Sequence, residues 1–284
     1  MKTLREYIKE AENNKVAIGH FNISDSEGFK AVVESAKELD LPVIVGVSEG
    51  ERDFIGIAEI AALVKVEKEK GLPVFLNADH TYSFERVKEA IDAGFDMVII
   101  DGAKLNDDEN TKMTKESVEY ARSVNREMLI EAEMGFIGQS SKMLDEIPQG
   151  VSLATQTKPE VALKFINDTG IDLFAPSVGN IHGIVKGGEP RLNIERIREI
   201  KELVKIPLVL HGASGNSDED ITAAIEAGIN IVHINTEIRL AYKQGVESGI
   251  KGDEVAPYKF MSEGVEEMKK VITAKLKLFN KVDA

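Results

Sequence analysis

The chain has 284 residues, 43% of them hydrophobic, enough to bury the core of one barrel or of two smaller domains. Cysteine is absent, which excludes disulfides and thiolate metal ligands and leaves histidine and carboxylate as the only strong ligands for a metal. A net charge of -14 argues against general binding to nucleic acid or to an anionic membrane, though a local basic pocket can still hold a phosphate.

In chain order, Met1-Lys-Thr-Leu-Arg-Glu-Tyr-Ile-Lys-Glu10 reads as an amphipathic helix start rather than a leader. No run approaches the roughly 18 apolar residues that span a bilayer, so the expectation is a cytoplasmic protein with no membrane partner. Short β-branched runs follow at 16–22, 42–47, 73–77, 96–101, 127–133, 171–176, 207–211 and 229–234, each succeeded by charged sequence of helical period. Eight such units predict an α/β fold, a (β/α)8 TIM barrel, with a doubly wound open sheet as the alternative. Ala90-Ile-Asp-Ala-Gly94 and Ala224-Ile-Glu-Ala-Gly228 both end in a glycine suited to a left-handed helix cap before the next strand. No linker or composition break divides the chain, so the prediction is a single domain over 1–284, with the charged segment 253–281 as a C-terminal helical extension.

Three of the five histidines end an apolar run and begin a polar, glycine-bearing loop. His80 follows Leu72-Pro-Val-Phe-Leu-Asn-Ala-Asp79, His182 follows Ile171-Asp-Leu-Phe-Ala-Pro-Ser-Val-Gly-Asn-Ile181, and His211 follows Ile206-Pro-Leu-Val-Leu210. Each alone suits a hydrogen-bonded core or loop residue. Together, at parallel strand ends of one barrel, they converge on one mouth as three nitrogen ligands with a coordination position left for substrate.

Asp79 precedes His80, and strand neighbours point to opposite sides unless the strand is already turning into its loop, as it is here. Its carboxylate is either a general acid/base beside the metal or a helix cap for the segment near Ser83. The stretches His182-Gly-Ile-Val-Lys-Gly-Gly188 and His211-Gly-Ala-Ser-Gly215 allow close approach of backbone amides to an anion, and the second runs into a helix near Ser217. Ser214 with a helix N-terminus, and His233-Ile-Asn-Thr236 after the eighth strand, occupy the usual phosphate-binding loops of such barrels. Lys186 is either a balancing cation there or an ordinary solvated lysine.

The ordered set Phe21-Asn22, Pro42-Val-Ile-Val-Gly-Val-Ser-Glu-Gly50, Asp79-His80, Ile99-Ile-Asp-Gly102, Glu131-Ala-Glu-Met-Gly135, Val178-Gly-Asn-Ile-His-Gly183, Pro207-Leu-Val-Leu-His-Gly-Ala-Ser-Gly215 and Asn235-Thr236 resembles the class II, metal-dependent ketose-bisphosphate aldolases over nearly the whole chain. That resemblance implies that His80, His182 and His211 hold a catalytic divalent metal, usually Zn2+, and that Asp79 is the proton donor. It implies that Gly183, Gly212, Ala213, Ser214, His233, Ile234, Asn235 and Thr236 bind the ketose phosphate, with Asn22 and Ser48 also contacting substrate. Asp101 and Glu133 match carboxylates that hold a second metal or monovalent cation in some members, or else form a buried structural pair.

Two departures stand out. Relatives carry acidic residues after the Glu-x-Gly stretch, one of them a loop base, where this chain reads Gly138-Gln-Ser-Ser-Lys142; Asp145 or Glu146 substitutes only if the loop folds inward, and the favoured reading is that both are solvated. His233 stands where relatives usually have asparagine, an imidazole that either hydrogen-bonds the metal-bound enediolate or enlarges the ionisable set near neutral pH, so that substrate choice or pH dependence differs. The resemblance implies a lyase of carbohydrate metabolism, a homodimer or homotetramer, that cleaves fructose 1,6-bisphosphate to dihydroxyacetone phosphate and glyceraldehyde 3-phosphate. An aldolase for tagatose 1,6-bisphosphate or another phosphorylated ketose is the alternative, and a non-catalytic metal-binding sugar-phosphate sensor is the alternative of another class.

Overall fold

The computed structural model describes residues 2–138, 141–188 and 190–282. Its centre is a closed parallel barrel of strands β1 (Ile18–Asn22), β2 (Val43–Val47), β3 (Val74–Thr81), β4 (Met97–Ile100), β5 (Leu129–Met134), β7 (Leu173–Pro176), β9 (Leu208–Leu210) and β10 (Ile229–Ile234). Two short strands in the loops, β6 (Met143–Leu144) and β8 (Ile184–Val185), pair in parallel beside it. All eight predicted strands are present at the predicted places, and the sheet closes where β1 pairs with β10, His20 opposite His233.

Each barrel strand is buried on both faces, which is why the runs read as continuous apolar sequence. Outward-facing Phe21, Val45, Leu76, Ile130, Phe174, Leu210 and Val232 pack beneath the helices. Inward-facing Ile18, Ile44, Phe75, Met97, Leu129, Leu173, Val209 and Ile231 fill the lower interior. The N-terminal helix α1 (Leu4–Asn14), with Thr3 as its cap, closes the bottom by burying Leu4, Ile8 and Ala11 against that layer. Each large side chain so buried stabilises the fold by about 1.5–3 kcal/mol. Above this apolar floor the inward positions turn polar, and the site begins there.

The outer ring comprises α2 (Ser26–Leu39), α3 (Glu49–Ile55), α4 (Ile57–Glu69), α5 (Phe84–Asp92), α6 (Asp107–Val124), α7 (Pro159–Thr169), α8 (Ile194–Val204), α9 (Asp218–Ala227), α10 (Thr236–Gly249), α11 (Pro257–Phe260) and α12 (Ser262–Asn280). Ser83 caps α5 by accepting from the Arg86 amide, and Ser217 caps α9 by accepting from the Asp220 amide. Gly94 and Gly228 adopt the positive φ expected of them, 83° and 124°. The C-terminal segment is helical over α11 and α12, and α12 is no appendage. Ile272, Leu276 and Phe279 are fully buried, and the Phe279 carbonyl accepts from the Ala17 amide that leads into β1. Among the described residues no helix is long and apolar enough to cross a membrane.

Candidate active site

The end of β3 departs from strand geometry. Its pairing with β4 shifts register between Ala78 and Thr81, and His80 takes a left-handed φ of 44°. That bulge turns Asp79 and His80 toward the same mouth, at a backbone cost of order 1–3 kcal/mol. Arg52, 1% exposed, braces it: Nη1 donates to the Val47 and Asp79 carbonyls at 2.9 and 3.4 Å, and Nη2 to Thr81 Oγ1 at 3.3 Å. The His80 ring is aimed by Asp101, whose Oδ2 accepts from Nδ1 at 2.9 Å. Asp79 itself is no helix cap, since Ser83 fills that role.

His80, Glu133, His182 and His211 each bring one ligand atom into a group within 4.8 Å of one another. His182 Nε2, His211 Nδ1 and Glu133 Oε2 are buried there without hydrogen-bond partners. Burying three such atoms without hydrogen bonds is costly, and a divalent cation among them would satisfy all three. Three imidazoles and a carboxylate suit Zn2+ and related ions. Behind them, His211 Nε2 donates to Glu131 Oε1 at 2.6 Å while Nδ1 faces Glu133 Oε2 at 3.4 Å. Burial opposes charge on the ring, but the two glutamates outweigh it and hold its pKa well above 6.5, and a cation taking Nδ1 would displace that proton. Asp101 lies outside this group, one hydrogen bond behind His80, whereas Glu133 lies within it.

The electrostatics follow burial and neighbours. Burial pushes His182 down to about 3, helped by His80 and His211. Burial also opposes charge on His80, but Asp79 and the Asp101 hydrogen bond outweigh it and raise its pKa to about 9. Burial favours a protonated Asp79, yet the His80 charge and other neighbours hold its carboxyl below the usual range, so it stands ionised. His233 does not enlarge the set that titrates near neutrality: burial and the neighbouring imidazoles push it well below 6.5. Its ring is stacked between His20, at 3.5 Å between centroids, and His211, at 4.2 Å.

Asp79 is oriented from one side. Asn22 Nδ2 donates to Asp79 Oδ2 at 2.8 Å and to Glu51 Oε2 at 3.0 Å, and Glu51 also accepts from the Ser48 amide. Beneath, Asn77 Nδ2 donates to His20 Nε2 at 2.9 Å. Gly46 is required beside that ring, because a Cβ there would lie 2.1 Å from it.

The open cavity above, about 270 Å³, is lined by Asn22, Ser48, Asp79, His80, Asp101, His182, Gly183, Gly212, Ser214, His233, Asn235 and Thr236 from the predicted set. Tyr82, Gly138, Ser141 and Arg239 complete it. Glu133, His211, Ala213 and Ile234 lie buried behind this wall. Gly212 has φ 58° and sits where a Cβ would lie 2.3 Å from the Ile181 carbonyl, so only glycine lets the two loops meet. Ser214 caps α10 rather than α9: its Oγ accepts from the Asn235 and Glu237 amides at 3.2 and 3.4 Å.

One expectation needs correction. Lys186 is outside the cavity wall, exposed, with Nζ on Asp145 Oδ1 at 2.6 Å, because β8 turns it outward toward the neighbouring loop. Asp145, 87% exposed and held by that lysine, and exposed Glu146 stand outside the cavity wall too, so neither is placed as a loop base. Gln139 and Ser140 of the altered loop lie outside the described residues. Sequence reasoning missed His20, Glu51, Arg52, Glu131 and Arg239. For His20 and Glu131 a signal existed: each stands two positions before a selected strand residue, Asn22 and Glu133, and therefore on the same inward face.

Fold and site together define a (β/α)8 barrel with a histidine–carboxylate cluster at its mouth that could hold a metal ion. The family model described as fructose-bisphosphate aldolase class-II matches residues 2–284, and the chain belongs to that family, whose members are carbon–carbon lyases and in general depend on a divalent metal. It is 36% identical to a fructose-bisphosphate aldolase of Geobacillus stearothermophilus over 98% of this chain and 96% of the relative. It is 38% identical to a 6-phospho-5-dehydro-2-deoxy-D-gluconate aldolase of Bacillus licheniformis over 98% of this chain and 94% of the relative. The crystal structure of the YdjI aldolase of Escherichia coli K12 superposes with a TM-score of 0.84 at 30% identity, over 99% of this chain and 98% of that one.

Proposed function

We propose that the protein cleaves fructose 1,6-bisphosphate reversibly to dihydroxyacetone phosphate and glyceraldehyde 3-phosphate, with Zn2+ held by His80, His182 and His211 and with Glu133 at its side. The observation that carries this reading is the convergence of His182 Nε2, His211 Nδ1 and Glu133 Oε2, none with a hydrogen-bond partner, beside Asp79, whose Oδ1 is likewise buried without one. A bound divalent ion supplies Lewis acidity, the electron sink that a cleavage leaving a carbanion requires in place of a Schiff-base lysine. Asp79 takes the proton of the hydroxyl on the carbon that becomes the aldehyde, and returns it when the reaction runs as an addition. Asn22 fixes Asp79 Oδ2 and leaves Oδ1 for that transfer. Gly183, Gly212, Ala213 and Ser214, with the stretch His233 to Thr236 and the start of α10, hold the ketose phosphate.

On this reading 1–284 is one catalytic domain, cytoplasmic and homodimeric or homotetrameric. A second reading is another phosphorylated ketose, tagatose 1,6-bisphosphate or 6-phospho-5-dehydro-2-deoxy-D-gluconate, the latter favoured by the 38% identity to the Bacillus licheniformis relative. A coupled assay of dihydroxyacetone phosphate release from all three compounds separates them. The highest kcat/KM on fructose 1,6-bisphosphate supports the first reading; a preference of tenfold or more for either other compound replaces it.

A further inference from the structure

His20 has no part in the chemistry derived above, yet its imidazole lies fully buried beneath the mouth of the barrel. A polar ring is a costly way to fill that space, since an aliphatic side chain there would need no partners. It is pinned on three sides. The register of β1 against β10 sets His20 directly opposite His233, Asn77 Nδ2 donates to its Nε2 at 2.9 Å, and Gly46 on β2 leaves the room that its ring occupies.

His233 has no such anchors. Its Nε2 is buried without a hydrogen-bond partner, and its Nδ1 stands 3.7 Å from Asp79 Oδ1, beyond hydrogen-bonding reach. What fixes its plane is stacking on both faces, on His20 at 3.5 Å between centroids and 5° between planes, and on His211 at 4.2 Å and 20°. Rings laid face to face attract one another less than offset or edge-on pairs do, so the surrounding frame, more than the rings themselves, keeps them together. The three imidazoles form a column that starts at the pinned ring of His20 and ends at His211, whose Nδ1 belongs to the histidine–carboxylate cluster. The bond from His211 Nε2 to Glu131 restrains that ring at one atom; the stack restrains its plane.

We propose that His20 is a positioning residue for the metal pocket: acting through the ring of His233, it holds the plane of His211 and so the direction in which Nδ1 meets a cation. This rests on the ligand role of His211 in the reading above and on no particular substrate. If His20 only filled space, its replacement would have the same effect whether or not His233 stood between it and His211.

The test measures Zn2+ affinity by competition against a fluorescent chelator, together with the visible absorption of the Co2+-loaded protein, whose bands follow ligand geometry. The proteins compared are the wild type, His20→Leu, His20→Gln, His233→Ala, and His20→Leu combined with His233→Ala. His20→Leu keeps the volume and loses the flat face, whereas His20→Gln lays a planar amide on His233 and keeps a partner for Asn77. The expected result is Zn2+ binding weakened about two- to tenfold in His20→Leu, the range that an aromatic pair contributes, with shifted Co2+ bands and recovery of both in His20→Gln. Once His233→Ala has removed the middle ring, His20→Leu should weaken binding no further. Wild-type affinity and spectrum in His20→Leu overturn the proposal, and so does an equal loss with and without His233, which would make His20 a packing residue. If His20→Leu does not fold, Asn77→Ala, which unpins the His20 ring without removing it, takes its place in the cycle and the same results decide. A wild type that binds neither ion removes the pocket along with the proposal; a wild type that binds both, in a cycle without coupling, overturns the proposal alone.

Discussion

Glu131 Oε1 accepts a hydrogen bond from His211 Nε2 at 2.6 Å, with both side chains fully buried in the barrel. A carboxylate in that position fixes the tautomer and orientation of a metal-binding imidazole and raises its basicity. Glu131→Gln keeps an acceptor but removes the charge, and should weaken metal binding about ten- to a hundredfold. Competition against a fluorescent chelator measures this; an unchanged dissociation constant would show that Glu131 only fills space.

Arg52 makes the second test. Arg52→Met strands the carbonyls of Val47 and Asp79 and frees the bulge that aims His80. Stability should fall by about 2–4 kcal/mol in urea unfolding, and metal affinity should fall with it. Loss of stability at wild-type metal affinity would mean that the His80 backbone holds without its brace.

Asp79→Asn preserves shape and the bond from Asn22 but cannot transfer a proton. The rate of cleavage should drop roughly a hundredfold or more while metal content stays near that of the wild type. If the metal leaves along with the activity, Asp79 is a ligand or scaffold residue instead.

His20 predicts a pH dependence. Burial lowers its pKa from 6.5 to about 4, so the unfolded chain binds the extra proton more readily than the folded one below pH 6.5. The stability it confers is complete above pH 6.5 and is lost as pH falls toward 4. In metal-free protein, His20→Gln should lose less stability than the wild type between pH 7 and 4.5 by urea unfolding. Parallel losses in the two would contradict a neutral, buried His20.

Much of the fold was legible because strands buried on both faces must read as apolar runs, and those runs fell where the eight barrel strands lie. The convergence of His80, His182, His211 and Asp79 was legible because a barrel displays its strand ends at one mouth. What escaped was what depends on side-chain reach across the fold. Arg239 meets Glu51 across 188 positions, and His211 meets Glu131 across 80. No local period encodes such pairs. Lys186 was misplaced for the same reason: its direction is set by the pairing of β6 with β8, two strands too short for a sequence pattern to announce.

The central claim is that cleavage requires a divalent metal in the pocket of His80, His182 and His211. The most direct measurement strips the protein with a chelator, confirms by circular dichroism that the barrel remains folded, and titrates Zn2+ back while following fructose 1,6-bisphosphate cleavage. Activity should be absent at first and return in proportion to metal until one ion is bound per chain, and His182→Ala should neither bind the ion nor recover. Full turnover in the stripped, folded protein would contradict the account.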